Sequence, residues 1–194
     1  MMKTLRLLLS SLIGVLLCTA CSSASRPVVP LPTPSQTVKS LPTPVLPGKM
    51  IIYKDLQVLM RQAEITTSYL TEYGSSREPP AGQKFLWIRI NLKNISQHEQ
   101  SLPATEHFSV LYGKTEFKPT YGHRNGYADY TALKAAMYQG QDVDAWLRFD
   151  IPAVTELEDL WFAFLPESSQ VSVSFSPNDY PWGDHPIYLW TCTP

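Results

Sequence analysis

The sequence predicts an all-β fold: an antiparallel β-sandwich with at most one short helix, preceded by a signal peptide and a disordered Pro-rich linker. Two stretches, KFLWIRINLKN and QDVDAWLRFDIP, alternate apolar and polar residues at period two. Six or more other short strand candidates are separated by Gly- and Pro-bearing turns, the pattern of a sandwich rather than a helical bundle.

The chain opens with Lys3 and Arg6, is almost free of polarity from Leu7 to Leu17, and ends this region in Thr19-Ala20-Cys21-Ser22-Ser23. Charged, apolar and small-residue segments in that order make a secretory leader over residues 1–20. An apolar run of about 11 residues is short of the roughly 20 that a membrane-crossing helix needs. The sequence LLCTAC resembles the lipobox of bacterial lipoproteins, in which a small residue precedes the cysteine that receives a diacylglyceryl group. That resemblance implies cleavage after Ala20 and lipidation of Cys21. It departs from the usual pattern in having Cys18 where leucine is usual, with Leu17 one place earlier. Simple secretion is the alternative. Lipidation would attach the protein to the cell membrane on its extracytoplasmic face, since two or three fatty chains hold where one binds only reversibly.

From Cys21 to Gly48 the composition shifts to Pro, Ser, Thr and Val, and LPTP occurs at Leu31–Pro34 and again at Leu41–Pro44. Too many prolines and too few large apolar residues leave this segment unable to bury a core, so it reads as a disordered tether. Extended, it would reach at most about 80 Å. The repeated LPTP as a ligand for a proline-recognising module is the competing reading.

Residues 49–194 form the predicted sandwich, long enough for a single core. In its best-patterned strand Leu86, Ile88, Ile90 and Leu92 fall on one side and Arg89, Asn91 and Lys93 on the other. Phe85 and Trp87 share that second side, whose first half is therefore expected to be covered as well. Val143, Ala145, Leu147 and Phe149 alternate likewise with Asp142, Asp144, Arg148 and Asp150, and Pro152 ends the run. Further strands are expected at Met50–Tyr53, Leu56–Ile65, Phe108–Tyr112, Glu116–Pro119, Leu160–Phe164, Val171–Phe175 and Ile187–Thr191. Tyr73-Gly74-Ser75, the Pro79–Gly82 stretch, Tyr112-Gly113-Lys114 and Pro166–Ser169 supply turns. The Ala- and Leu-rich run from Thr131 to Tyr138 is the one place where a helical turn is expected.

The order of these features from Lys49 to Phe175, with FLWIRINLKN and the Gly140-led LRFDIP as its most specific pieces, resembles the domain-of-unknown-function family DUF4352. The resemblance implies an immunoglobulin-like sandwich on an exported, often lipid-anchored protein, and it carries no catalytic residues. The region from Pro119 to Gln139 and the tail after Asn178 lie outside the family pattern.

Of the 16 Lys and Arg, Lys3 and Arg6 leave with the leader, so 14 face 17 acidic residues, a net charge of about −3. No basic tract offers the phosphate-neutralising patch that nucleic-acid binding requires. Cys18 leaves with the leader and lipid occupies Cys21, so Cys192 is expected as a free, unreactive thiol; without lipid, a Cys21–Cys192 bridge stays open. No phosphate loop, G-x-S-x-G elbow, H-E-x-x-H or C-x-x-C is present, and no cofactor is implied. His98, His107, His123 and His185 are scattered, and no metal site is expected. Asp142, Asp144 and Asp150 could suggest calcium, but their spread along one strand face favours solvated charge.

The most suggestive feature is aromatic. Tyr121, His123, Tyr127, Tyr130 and Tyr138 share one irregular segment with Arg124, Asn125 and Asp129, and Tyr180, Trp182, His185, Tyr188 and Trp190 crowd the tail. Rings on loops beside hydrogen-bonding groups suit recognition of a protein or glycan, which makes Tyr121, His123, Tyr127, Tyr130 and Trp182 the candidate ligand-binding residues. The alternative is that these rings only cover the ends of the sandwich. The functional expectation is a lipid-anchored interaction module for a protein or envelope polymer. Its rival is an envelope hydrolase whose site is assembled from sequence-distant histidines and carboxylates.

Overall fold

The computed structural model describes residues 41–167 and 185–194. The leader, Cys18, Cys21, the Val171–Phe175 strand, Tyr180 and Trp182 lie outside the described residues. Among the described residues, twelve strands run in chain order: β1 (Met50–Tyr53), β2 (Leu56–Thr66), β3 (Tyr69–Leu70), β4 (Ser76–Arg77), β5 (Gln83–Asn94), β6 (Gln100–Ser101), β7 (Phe108–Tyr112), β8 (Thr115–Phe117), β9 (Ala136–Met137), β10 (Asp142–Pro152), β11 (Leu160–Phe164) and β12 (Tyr188–Thr191). They form two four-stranded sheets, β1-β2-β5-β10 and β12-β11-β7-β8, and two small ladders, β3-β4 and β6-β9. All strand pairs are antiparallel. The fold is an antiparallel β-sandwich, as expected.

Alternation does the work in the first sheet. Ile90 faces Ala145, Ile88 faces Leu147 and Leu86 faces Phe149 across β5 and β10, and all six side chains are fully buried. In β2 the inward set begins with Leu56, Val58 and Met60 and resumes with Ala63 and Ile65, a change of parity that a simple strand cannot make. A β-bulge between Met60 and Gln62 supplies the extra residue, Arg61, and restores the inward face. The second sheet meets this face with Phe108, Val110, Phe162, Phe164 and Trp190. Phe108 stacks on Phe162 with ring centroids 5.9 Å apart.

Both sheets are also covered outside. Leu111, Ala163, Leu165 and Leu189 form a second buried cluster, and Tyr69, Phe85, Trp87 and Trp146 a third. Cover over Phe85 and Trp87 matches the sequence expectation.

Two expectations need correction. The helical turn expected around Thr131–Tyr138 is confined to its start: the Asp129 carboxylate caps Thr131 N–H and supports a 3-10 turn over Tyr130–Ala132, after which Leu133 is extended and Ala136–Met137 enters β9. The body also starts before Lys49. Val45 N–H donates to Leu189 O and Val45 O accepts from Thr191 N–H, both at 2.9 Å, adding a parallel bridge to the edge of β12. Leu41 packs against the second cluster, so the last residues assigned to the tether belong to the sandwich.

Candidate ligand cleft

Strand β10 is an edge of its sheet, and the segment after β8 uses that edge. Thr120 N–H donates to Arg148 O at 2.7 Å, and Trp146 N–H donates to Ala128 O at 2.7 Å. Between those anchor points the chain crosses the outer face of the sheet and turns at Asn125-Gly126, where Gly126 adopts φ +78°. Tyr127 stacks on Trp146 at 4.0 Å and meets Trp87 edge-on at 5.6 Å. Its hydroxyl donates to Glu64 Oε1 at 2.7 Å. Burial, and then the neighbouring Glu64 carboxylate, push the Tyr127 phenol up to about 12. Arg124 pairs with the same Glu64 oxygen and lies 4.1 Å over the Tyr127 ring. Tyr130 turns into the core, where it is 3% exposed, packs on Phe108 and donates to Pro103 O at 2.6 Å. Tyr127 and Tyr130 therefore fasten the segment to the sandwich, and Tyr130 has no face free for a ligand.

Beside this strap, the β3-β4 hairpin and the end of β10 enclose an open cleft of about 470 Å³. Arg148 is its floor. The Arg148 side chain is largely buried; its Nε donates to Thr120 Oγ1 at 3.0 Å and its Nη1 to the Tyr69 hydroxyl at 3.1 Å. Its guanidinium lies 5.0 Å over the Phe85 ring, with Nη2 3.6 Å from Asp150 Oδ2. Gly122 sits directly above, where an added Cβ would fall 2.6 Å from Nη1, so any side chain would displace the guanidinium. Asp150 Oδ1 is buried and has no hydrogen-bond partner in the protein. Tyr73 and Tyr121, 86% and 66% exposed, stand at the same cleft. A hydrogen bond with Glu72 raises the Tyr73 pKa. His123 packs edge-on against Tyr121 at 4.7 Å, and its Nδ1 lies 3.2 Å from Asp129 Oδ2, which orients the imidazole.

The structure thus unites Tyr121 and His123 and places Tyr127 and Tyr130 in packing roles; Trp182 and Cys21 lie outside the described residues. Sequence reasoning missed Tyr69, Tyr73, Arg77, Glu78, Arg148 and Asp150. Tyr73 was visible only as part of a turn, and Arg148 and Asp150 only as polar positions of a strand face. Elsewhere on that face, Asp144 is held by Arg89 at 2.6 Å and Arg61 at 3.2 Å, and its carboxylate raises the Arg89 pKa. Among the described residues, no group of three or more His, Cys, Asp or Glu could hold a metal ion. Cys192 is a buried free thiol whose burial pushes its pKa up to about 12, away from nucleophilic chemistry.

Residues 47–164 match the family described as a domain of unknown function, DUF4352. The chain belongs to the DUF4352 family. Every residue named at the cleft falls within the DUF4352 span, including those of the strap. No curated protein matches the chain. Among solved structures, yjhA of Bacillus subtilis is similar at a TM-score of 0.50 and 12% identity, covering 76% of this chain and 98% of that one. A β-sandwich protein of Clostridium difficile 630 is similar at 0.46 and 11%, covering 78% and 96%. The candidate lipoprotein ycdA of Bacillus subtilis is similar at 0.44 and 13%, covering 73% of this chain and 38% of that one. At these identities the likeness to yjhA speaks for the fold alone.

Proposed function

We propose that this DUF4352 chain is a non-enzymatic interaction module, lipid-anchored through Cys21 on the extracytoplasmic face of the cell membrane, which binds an envelope polymer or protein partner through the Arg148 cleft. The observation that carries the reading is the pair Tyr73 and Tyr121. Among the described residues most large aromatic rings are covered; Tyr73, Tyr121 and Tyr138 stand largely in water, and the first two share one concave site whose floor is charged and fixed in place. Exposed apolar rings gathered beside convergent polar groups mark recognition surfaces.

The order of charge, apolar run and LLCTAC supports the anchor. Among the described residues, no helix is long and apolar enough to cross a membrane. Changing Cys21→Ala and fractionating cells tests it: lipidation predicts loss of the cleaved, membrane-held form, and an unchanged cleaved form still in the membrane fraction contradicts it.

Binding is tested by sedimenting the full chain, kept in a sugar-free detergent, with washed envelope polymer. Wild type is expected to co-sediment and Tyr121→Ala to stay in the supernatant. Equal sedimentation of the two, or release of soluble fragments from the polymer, contradicts a binding role for the cleft; release of fragments would favour the hydrolase.

A further inference from the structure

We infer that the cleft takes an uncharged carbohydrate, with a sugar ring against Tyr73 and Tyr121 and its hydroxyls on Asp150 and Arg148. This deepens the binding reading above and rests on it. The charged side chains at the cleft are Arg77, Arg148, Glu78 and Asp150, two cations against two anions. A site so balanced gives a strongly charged ligand of either sign no net attraction, and it would oblige one pair of like charges to approach.

What the cleft leaves open is hydrogen bonding on both sides, an acceptor on Asp150 and donors on Arg148. The Asp150 side chain keeps 23% of its surface exposed at the cleft beside Arg148, its Oδ1 meets no protein donor, and an acceptor left unmet is costly until something donates to that carboxylate. Arg148 holds the complementary surplus. Its guanidinium has five N–H groups, and Thr120 and Tyr69 take two of them. A vicinal diol can donate to the carboxylate and accept from the guanidinium at once. The same ring offers a face of C–H groups that packs on tyrosine, whose flat ring orders at little entropic expense. An apolar ligand would fill the rings and leave Asp150 unmet, and a simple anion would meet Arg148 while facing Asp150 and Glu78.

Titration calorimetry on the full chain in sugar-free detergent tests this, using the tetramer of β-1,4-linked N-acetylglucosamine, cellotetraose, and a galacturonate tetramer as the anionic control. At least one neutral tetramer is expected to bind and the galacturonate tetramer to bind at least tenfold more weakly. Tyr121→Ala and Asp150→Asn are each expected to weaken the neutral ligand about tenfold. Tyr121 is exposed, so Tyr121→Ala should keep the wild-type melting temperature and remain decisive if Asp150→Asn folds poorly. Equal or tighter binding of the galacturonate tetramer overturns the ligand class, as does neutral binding indifferent to Tyr121→Ala. If Tyr121-dependent sedimentation with envelope polymer persists while no neutral tetramer binds, the carbohydrate inference falls and the binding module stands. If both fail, both fall.

Discussion

Single side chains decide this molecule where a buried polar group must be satisfied. Asn94 is fully buried at the end of β5; its Nδ2 donates to His98 O at 2.7 Å and Met137 O at 3.0 Å, and its Oδ1 accepts from Ser96 N–H and Oγ at 2.9 and 2.7 Å. Asn94→Ala would orphan several partners at once, and denaturant unfolding is expected to show a loss of about 3 kcal/mol. Gly122 is decided by proximity. Gly122→Ala should push Arg148 off Tyr69 and Thr120 and lower Tm by several degrees, whereas Ala at the uncrowded Gly113 would act only through its positive φ, here 56°. Neither role was legible in the sequence. Period-two patterning assigns a face and says nothing about which carbonyls a polar side chain will find far along the chain, as Asn94 finds Met137 O 43 positions away.

Strands were the legible level. Met50–Tyr53, Phe108–Tyr112 and Leu160–Phe164 fall where alternation and turn chemistry put them, because burial on one face leaves a period-two trace. The trace fails where a tertiary partner supplies the structure. The Ala-rich run after Tyr130 has helical composition, yet Leu102 N–H donates to Ala135 O at 2.6 Å and draws it into the ladder with β6. Val45 sits among prolines and still pairs with β12. Starting the protein at Lys49 instead of Leu41 should therefore lower stability by about 2 kcal/mol, from two lost ladder bonds and the bared edge. Equal unfolding midpoints of the two forms would contradict that pairing. The strap is a further case. Its tyrosines looked like ligand contacts because sequence cannot tell a ring that stacks on Trp146 from one that faces water. Tyr127→Ala is expected to destabilise the fold by about 2–3 kcal/mol, read by thermal unfolding.

At the scale of the whole domain, burial holds three groups, Cys192, Tyr127 and Tyr130, in protonated form. Burial raises the pKa of Cys192 and Tyr130, and burial together with Glu64 raises that of Tyr127. An unfolded chain releases these protons near the ordinary values, 9.0 for the thiol and 10.0 for the phenols, so alkaline pH favours unfolding. With folded values raised, stability is unaffected below about pH 9 and falls as pH climbs toward 12. For Cys192 alone the loss between pH 8 and 10.5 is about 2 kcal/mol. Urea unfolding at the two pH values should show wild type losing that much more than Cys192→Ala.

Tyr73 and Tyr121 make the cleft stand out, since they are exposed together at one site and contribute little to the core that the buried aromatics build. The double variant Tyr73→Ala/Tyr121→Ala measured for both melting temperature and retention on envelope polymer separates recognition from packing in one experiment. An unchanged melting temperature with retention lost is the expected result. Retention equal to wild type, or loss of retention only in step with loss of the fold, would contradict recognition through this cleft.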